Sequence, residues 1–522
     1  MLFANPFFLF AVLPATLILF YAVSARGNRT AGLFVIVASS AVFYAPYGIL
    51  PSGLLLVSLT TNLLIGQALI GFPDEKGAHR RFLLTAGLVL DFSLLFIFKY
   101  VLIYPSAQQI IGWDKNIEYA IPAGISFYTF HQAVFLVDAY SRRSDVIEMV
   151  GSAQGRVGSA TAFIRYTTFV AFFPQLIIGP ITYMREFGPQ VLGIKFGKLN
   201  SINIIIGITF IITGLFKKLC LADPISDIIN PVYTALEKNN VVTQKDAIFA
   251  IIGFYFQLYF DFSGYSDIAL GIARLFGVTL PYNFDSPLRA VGIVDFYRRW
   301  HITLTRVIAL FLFTPLSLWG TRKAVDLGLR GWKRRALASW APFMVNFQII
   351  ALWHAASLPF VVFGLVHGAW YVLETEVRAT KRFKTFATKT SPLLRFIGGV
   401  LLTAGPLMLT FALFRSPTLT AFGNLLTSLT SWGGDGKISL VNMKKLRFLI
   451  EAAAVIYLLP STLEWTKSLK PGIITYKNQS TTPIPLRIKF SPDIKTTILL
   501  IVMMVFIFNR INEPTPFLYA GF

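Results

Sequence analysis

Long apolar runs with few or no charged residues recur along the whole of this 522-residue chain. A helix needs about 20 mostly apolar residues to cross a bilayer, and only helices and closed barrels satisfy every backbone polar group there. The runs predict membrane helices at residues 2–23, 31–50, 82–98, 203–216, 248–260, 396–414 and 496–508. We count about 11 to 13 spans in all, some of them short enough to be re-entrant. The sequence therefore predicts an all-α, polytopic transmembrane bundle.

Composition agrees with a chain that has little water-facing surface. Charged residues make up 14% of the chain and hydrophobic residues 55%, whereas soluble domains carry about 25% charged residues. The breaks between the apolar runs are too short for a separate soluble domain, so residues 1–522 are predicted to form one membrane-embedded domain. No basic segment precedes the first run and no small-residue cleavage site follows it, which favours a retained span over a signal peptide.

The net charge of +22 would suit a nucleic-acid-binding protein, but its distribution suits a membrane protein better. Arg26 and Arg29 follow the first span, at residues 2–23, and no basic residue follows the second, at residues 31–50. Arg80 and Arg81 follow a third span, which lies between residue 50 and these arginines, and they precede the run 82–98. Cytoplasmic loops carry such an excess of Lys and Arg. We therefore expect the N-terminus outside, basic loops in the cytoplasm and no nucleic-acid partner.

Two later stretches, residues 321–335 and 378–395, are more basic still. Clusters of this kind anchor to the anionic lipid of the cytoplasmic leaflet. They would also suit docking of a phosphate-rich acyl donor or an acidic carrier protein. The two interpretations are compatible, and the sequence leaves both open.

Several common catalytic and cofactor motifs are absent from the sequence. There is no Gly-rich phosphate loop and no Gly-x-Ser-x-Gly elbow, which disfavours ATP-driven transport and a serine hydrolase of the soluble type. Cys220 is the only cysteine, so an internal disulfide and a multi-cysteine metal site are excluded. Cys220 follows Lys217 and Lys218 and is interpreted as a small buried hydrophobe. No metal site and no bound cofactor are predicted.

Two of the five histidines, His354 and His367, lie in an apolar segment. An ionisable residue at membrane depth is costly and is rarely retained without a role. Histidine is also the side chain best suited to exchange protons near neutral pH, which makes His354 the first candidate for acid–base chemistry inside the membrane. His367 is interpreted as structural, with its ring bonded to a nearby carbonyl group. His131 is interpreted as bundle packing or else tunnel lining, and His79 as part of a basic loop.

A second candidate, His301, closes the sequence Arg298-Arg299-Trp300-His301. On a helix at the membrane interface, Arg298 and His301 would share a face and Arg299 would flank it. Such a cluster could hold a phosphate or a carboxylate. It could equally anchor lipid headgroups, with Trp300 in the aromatic belt, and both interpretations stay open.

Residues 254–267 alternate aromatic side chains with carboxylates and hydroxyls, which makes them candidates for the wall of a substrate path. The polar candidates of this segment and of the turn after it are Asp261, Ser263, Tyr265 and Asn283. Asp261 and Asp267 are six residues apart and point about 120° apart on a continuous helix, so they pair only if the helix breaks at Gly264. The alternative is that each carboxylate pins a neighbouring helix by hydrogen bonding.

Ordered motifs along residues 1–420 resemble the membrane-bound O-acyltransferase family, most closely its bacterial branch that acetylates alginate and similar exopolysaccharides. The resemblance rests on residues 257–305, on Leu352-Trp353-His354 and on Gly364-Leu365-Val366-His367-Gly368. Supporting motifs are Val42-Phe43-Tyr44-Ala45, Phe98-Lys99-Tyr100, residues 121–130, residues 173–180 and Phe414-Arg415. Residues 421–522 contain the C-terminal spans and loops and carry no further motif of this kind.

The resemblance implies a helical bundle with a central tunnel or funnel, in which a buried histidine is reached from both sides. It implies that His354 is the catalytic base, taking the proton of an acceptor hydroxyl as that oxygen attacks a thioester. It also implies a second catalytic position at His301, on the cytoplasmic approach. Trp353 and Asn346 are candidates to steady the oxyanion. The implied donor is acetyl-CoA or another acyl thioester, and the implied acceptor is peptidoglycan or an extracellular polysaccharide such as an alginate-like polymer or cellulose.

The same resemblance implies a bacterial inner-membrane location and a periplasmic acetyltransferase partner similar to SGNH hydrolases. The chain departs from the usual family pattern at Ala355, where glycine commonly follows the histidine, and at Phe363, where tryptophan is frequent. Two alternatives stay open. One is a D-alanyl transferase of the same family that acts on teichoic acid. The other is a proton-coupled transporter, although no internal repeat supports it.

Overall fold

The computed structural model describes residues 3–73, 77–110, 121–151, 157–430, 440–475, 488–512 and 515–518. Within these ranges the chain forms helices joined by turns and no β-strand. The predicted all-α class is therefore confirmed.

Ten helices in the described ranges are long and apolar enough to cross a membrane. They are Arg29–Tyr47, Ile49–Gly71, Gly77–Val101, Ser201–Glu237, Gln244–Leu275, Ile302–Asp326, Gly331–His354, Leu358–Ala379, Pro392–Arg415 and Leu446–Leu469. Two shorter apolar helices, Phe8–Ser24 and Ile494–Phe508, occupy the first and last predicted spans. The polytopic bundle is confirmed, and the helix number reaches the predicted range when this shorter pair is included.

Shorter helices fill the spaces between the spans. They are Pro105–Ile110, Ile125–Tyr140, Ser144–Val150, Ser159–Ala171, Phe173–Leu176, Met184–Leu192, Ile293–Tyr297, Lys381–Lys389 and Leu419–Thr430, with a 3-10 turn at Pro287–Arg289. Ile125–Tyr140 is buried along nearly its whole length, because it packs against the spans Ile49–Gly71 and Gly77–Val101.

The centre of the bundle is the helix Gln244–Leu275, which we call the central helix. It is 32 residues long without a break, and 89% of the residues in its most apolar 18-residue segment are buried. Glycines bring it close to the span Ser201–Glu237: a Cβ on Gly214 would lie 2.6 Å from the Gly264 carbonyl oxygen, and one on Gly271 would lie 2.7 Å from the Gly207 carbonyl oxygen. Small residues permit this close helix packing in membranes.

Five π-helical turns interrupt the spans of the described chain. They are Phe8–Val12, Ile97–Val101, Phe216–Ala222, Ala309–Phe313 and Ala336–Trp340. Such turns are rare and are found mostly at functional sites or where a helix accommodates an inserted residue. Two of them carry deeply buried lysines, Lys99 and Lys218.

Candidate functional site

His354 is the last residue of the helix Ala341–His354, and its side chain is buried. Ala355 takes an extended backbone conformation and ends that helix. The next helix, Leu358–Ala379, packs back against it. The imidazole lies in aromatic surroundings, with its centroid 5.0 Å from the Phe414 ring. The predicted candidate therefore stands at a helix end, where the chain turns.

Two glycines of the motif that follows His354 hold this helix pair together. A Cβ on Gly364 would lie 3.0 Å from the Cα of Gln348, and one on Gly368 would lie 3.3 Å from the Cα of Met344. Both distances are tighter than ordinary contacts, so larger side chains would push the helices apart. The glycines thus contribute by packing, and they fix where His354 sits.

His301 precedes the span Ile302–Asp326 and is the only candidate with a strained backbone, its φ being 44°. Non-glycine residues in this left-handed region cost free energy and persist where surrounding contacts enforce them. His301 Nδ1 lies 3.2 Å from Asn283 Oδ1, which also accepts the Thr303 hydroxyl at 2.6 Å. Because that oxygen is an acceptor, Nδ1 donates to it and the lone pair is on Nε2. Burial lowers the pKa of His301 to about 3, so the ring is neutral near pH 7.

The two histidines, distant in sequence, line one small cavity. We call it the histidine cavity. Its walls are Leu258, Phe296, Tyr297, Trp300, His301, Leu304, Thr305, Ile350, His354, Phe363, Phe411 and Phe414. Few polar groups accompany the imidazoles, and the remaining wall is mostly aromatic or aliphatic. A mostly apolar cavity with a few convergent polar groups is typical of a ligand site.

His367 contacts the wall of the histidine cavity through the side chain of Tyr297. Its Nδ1 lies 2.7 Å from the Tyr297 hydroxyl oxygen, and Tyr297 lines the cavity. The expectation that a carbonyl group would hold the His367 ring is wrong, because the hydroxyl of Tyr297 occupies that place. The ring also stacks on Phe363 at 4.0 Å between centroids.

The two proposed oxyanion donors have different positions. The ring of Trp353 lies 4.6 Å from that of His354, and its buried Nε1 has no hydrogen-bond partner among the described residues. Asn346 lies eight residues before His354 on the same helix, about 12 Å away along the helix axis, and is not part of the cavity wall. Trp353 is the nearer of the two to His354, but like Asn346 it is not part of the cavity wall, and its indole packs against Phe127 and Phe130.

The carboxylates of the central helix lie apart from the histidine cavity. Asp261 accepts from the Lys218 ammonium at 2.8 Å, and Asp267 pairs with Lys217 at 2.6 Å. The helix does not break at Gly264, so the two carboxylates point in different directions. Each pins a neighbouring helix, as the alternative interpretation held.

The basic residues before His301 are not on one helical face with it. The helix Ile293–Tyr297 ends too early, and the chain turns before Ile302, so the predicted shared face of Arg298 and His301 is wrong. Arg298 is exposed. Arg299 is buried and pairs with Asp295 at 2.9 Å, which leaves Trp300 and His301 as the members that reach the cavity.

The remaining predicted residues take structural positions. Ser263 is buried in a narrow pocket shared with Asp267 and Asn283. Tyr265 packs its ring 4.9 Å from that of Phe517. Both ring nitrogens of His131 are engaged, with Nδ1 2.8 Å from the Phe127 carbonyl oxygen and Nε2 accepting from the Thr182 backbone N–H at 3.1 Å, which agrees with bundle packing. His79 is exposed.

The basic stretch at 321–335 is exposed over most of its length and lies at the far ends of the spans that carry the histidines. The span Gly331–His354 has 24 residues, which corresponds to about 36 Å of helix. The stretch at 378–395 follows the span Leu358–Ala379 and lies at that same far end. The first stretch and His354 are therefore separated by about the thickness of a bilayer, whereas Arg378 of the second stretch donates to the Val291 carbonyl oxygen at 2.7 Å and lies nearer the Tyr297 side of the cavity.

Two polar residues of the cavity, Tyr297 and Thr305, were not among the sequence candidates. Both lie four residues from His301 and flank it in the sequence. That spacing would be a signal on a continuous helix, but the turn at His301 breaks the helix, so the spacing alone did not identify them.

Comparison with known proteins matches residues 91–410 to the model of the membrane-bound O-acyltransferase family. A peptidoglycan O-acetyltransferase of Helicobacter pylori is 31% identical over 461 residues, covering 85% of this chain and 82% of that protein. A probable alginate O-acetylase of Pseudomonas putida is 26% identical over 546 residues and covers all of both chains. A teichoic acid D-alanyltransferase of Bacillus subtilis is 24% identical over 245 residues, covering 47% of this chain and 56% of that protein. The matched region contains both cavity histidines, and the chain belongs to the membrane-bound O-acyltransferase family.

Proposed function

We propose that this acyltransferase moves an acetyl group from a cytoplasmic thioester donor across the membrane, for O-acetylation of an extracellular polysaccharide or of peptidoglycan. His354 is the base of the reaction, and His301 supports it from the opposite part of the same cavity. The observation that carries the proposal is that these two histidines, 53 residues apart in sequence, line one mostly apolar cavity inside a membrane bundle.

The chemistry follows from the groups that the cavity offers. The acceptor hydroxyl oxygen attacks the thioester carbonyl carbon while its proton passes to His354. The carbonyl electron pair moves onto the carbonyl oxygen, and Trp353, whose ring lies 4.6 Å from that of His354, is the proposed donor to that oxyanion. Collapse of the intermediate breaks the carbon–sulfur bond, and the thiolate takes the proton from His354.

The separation of residues 321–335 from His354, at opposite ends of the span Gly331–His354, supports transfer from one side to the other. If the basic face is cytoplasmic, as the positive-inside rule favours, His354 lies nearer the outer face. An acceptor then reaches His354 from outside, and the thioester arm of acetyl-CoA or another donor has to extend through the bundle. The basic residues anchor anionic lipid and also attract the phosphates of such a donor.

The proposal includes a bacterial inner-membrane location with the N-terminus outside. It also includes a periplasmic partner, similar to SGNH hydrolases, that completes transfer to the polymer. Family membership favours an acyltransferase over the proton-coupled transporter that the buried histidines also allowed. The D-alanyl alternative is weaker, because the teichoic acid relatives align with about half of the chain.

The test is a set of alanine variants expressed in place of the native protein. His354→Ala should lower ester-bound acetate on the cell-surface polymer by about 10²–10⁴-fold per protein molecule, the usual contribution of a general base. His79→Ala is the matched control, because that histidine is exposed at the start of the span Gly77–Val101, and it should keep full activity. Mass spectrometry of the groups released by mild alkali measures the effect, and immunoblotting of membranes measures the amount of protein.

Two outcomes would contradict the proposal. Wild-type acetylation by His354→Ala in the membrane would remove His354 from the reaction. Release of D-alanine rather than acetate, in a His354-dependent manner, would keep the base and replace acetylation with the D-alanyl alternative.

A further inference from the structure

A second cavity, of about 300 Å³, lies beside the central helix and apart from the histidine cavity. Its wall combines Tyr259 and Phe260 of the central helix with residues of the two C-terminal helices, Leu446–Leu469 and Ile494–Phe508. Neither imidazole of the histidine cavity belongs to this wall. We call the space the C-terminal cavity. Its volume is at the lower end of the range for ligand sites.

The wall of the C-terminal cavity is apolar where the last two helices form it. Val455 and Leu459 contribute from one helix, and Leu499 and Met503 from the other. Leu499 is 44% exposed although it lines the cavity, and the helix Ile494–Phe508 that carries it is exposed along most of its length. An exposed apolar helix at the edge of a membrane bundle faces the lipid tails. The cavity therefore adjoins hydrocarbon.

Basic residues lie at the ends of the two helices that border the cavity. Trp465 lines the cavity, and its carbonyl oxygen accepts from the Phe490 backbone N–H at 3.1 Å. Lys467 and Lys489 flank this junction on either strand of chain, and both are exposed. Lysines at the end of a span attract the phosphates of anionic lipid, and tryptophan is frequent at the same depth. The cavity thus begins at the level of the lipid headgroups.

The depth of the cavity corresponds to one leaflet. The helix Ile494–Phe508 begins beside the basic junction, with Asp493 as its N-cap. Met503, which lines the cavity, is nine residues beyond Ile494, or about 14 Å along the helix axis. The hydrocarbon core of a bilayer is about 30 Å thick, so the cavity reaches roughly to its middle. That length suits the acyl chain of a lipid whose headgroup stays at the junction.

The entrance lies on the same side of the bundle as the basic stretch that begins at Arg378. Arg289, in the wall of the C-terminal cavity, donates to the carbonyl oxygens of Ile456 and Leu459. Two residues further along the chain, the Val291 carbonyl oxygen accepts from Arg378. The positive-inside rule assigns this basic side to the cytoplasm, and the cytoplasmic leaflet carries anionic lipid.

We propose that the C-terminal cavity binds one acyl chain of an anionic phospholipid from the cytoplasmic leaflet, with the lipid phosphate at Lys467 and Lys489. The chain fills the space between the central helix and the last two helices and holds these helices on the bundle. The helix Ile494–Phe508 has Ile507 as its one buried residue, so it gains apolar contact from such a filler. The inference does not depend on the proposed function, because the reacting groups lie in the other cavity.

The test titrates phosphatidylglycerol onto the purified full-length protein in mild detergent, and native mass spectrometry counts the bound lipids. One molecule should be retained more tightly than the rest. Leu499→Trp should weaken its binding by about tenfold or more, because the indole occupies the space of the chain. Ile501→Trp is the matched control, since Ile501 is exposed on the same helix and is not in the wall. It should bind as the wild type does.

A second pair of variants tests the headgroup and remains informative if Leu499→Trp does not fold. Lys467→Gln combined with Lys489→Gln should weaken phosphatidylglycerol binding by about thirtyfold and leave phosphatidylcholine binding unchanged. Lys238→Gln, at another exposed lysine, should have no effect. Phosphatidylglycerol should also raise the melting temperature of the wild type, as a ligand of the folded state does, and not that of Leu499→Trp.

Four results would overturn the inference. The first is tight binding of phosphatidylglycerol by Leu499→Trp, and the second is equal weakening by Ile501→Trp. The third is equal affinity of the wild type for phosphatidylcholine and phosphatidylglycerol. The fourth is a co-purified protein bound in place of the lipid.

Discussion

Two regions of this bundle bury ionisable groups, and they treat those groups in opposite ways. In the first, which we call the Lys218 cluster (Lys218, Asp223 and Asp261), the ammonium lies 2.8 Å from each of the two carboxylates. The C-terminal segment 515–518 covers the cluster, and the Leu518 backbone N–H donates to Asp261 at 2.9 Å. In the second region, the histidine cavity, two imidazoles border a small cavity walled mostly by aromatic and aliphatic side chains.

The difference teaches how to separate scaffold from chemistry when both lie inside a membrane. Lys218 and Asp223 are five residues apart, and the π-helical turn Phe216–Ala222 brings them onto one face. The charges of the Lys218 cluster are satisfied by the protein itself, so the cluster stabilises one packing of the helices. The imidazoles instead border a space that can admit a further molecule. Both regions are buried, so burial alone does not distinguish them. They differ in what adjoins the ionisable groups: other protein groups in the Lys218 cluster, and a cavity beside the imidazoles.

Lys218→Met is the change with the largest expected effect on the comparison. Removing one partner of a buried ion pair leaves the other charges uncompensated, which costs about 3–5 kcal/mol of folding free energy. We expect far less folded protein in membranes and a lower melting temperature, with a normal rate per folded molecule. Lys198→Met, at an exposed lysine, is the matched control and should behave as wild type. A Lys218→Met protein that folds normally but is inactive would show that the Lys218 cluster takes part in the reaction and does not serve only helix packing.

Asn283→Leu should have an intermediate effect, lowering the rate as well as the stability, because the buried amide oxygen also accepts from the Thr303 backbone N–H and hydroxyl. The amide oxygen orients the His301 ring through Nδ1, and the loss of one such hydrogen bond corresponds to about a tenfold change. We expect kcat to fall by about that factor, measured with acetyl-CoA and membrane vesicles. Thr303→Val is the control: it removes a hydroxyl that bonds to Asn283 and to the Ile181 backbone N–H, so it should lower stability and spare the rate. A loss of stability at an unchanged kcat in Asn283→Leu would show that Asn283 serves only packing.

The sequence predicted the fold class and singled out His354 because these signals are local, whereas His301 became a catalytic candidate only through the family resemblance. Apolar length identifies a span, and an ionisable ring in such a span is conspicuous at any position. What brings His301 and His354 together depends on packing between distant helices, which no local pattern encodes. The shared face of Arg298 and His301 was wrongly expected for the same reason: helical periodicity assumes a continuous helix, and the left-handed backbone of His301 ends it.

The carboxylates illustrate what the sequence leaves open. Asp261 and Asp267 look alike in sequence, and both could have lined a substrate path. Their lysine partners lie about 50 residues earlier, on the span Ser201–Glu237, where glycine contacts bring the two helices close. Only the assembled pair shows that each of these carboxylates has a lysine partner.

Tyr297→Phe is the smallest and most discriminating change, because Tyr297 belongs to both kinds of region. Its ring lines the histidine cavity, while its hydroxyl lies 2.7 Å from His367 Nδ1, as a scaffold contact would. If the hydroxyl is scaffold, its removal costs about 1 kcal/mol of stability and leaves kcat unchanged, and His367→Phe gives the same result. Thermal melting in detergent beside acetyl transfer in vesicles measures both quantities on one preparation. A loss of rate of about tenfold at unchanged melting temperature would place Tyr297 with the reacting groups. The Tyr297–His367 hydrogen bond, rather than the cavity wall, would then separate the residues that take part in the reaction from those that only support the fold.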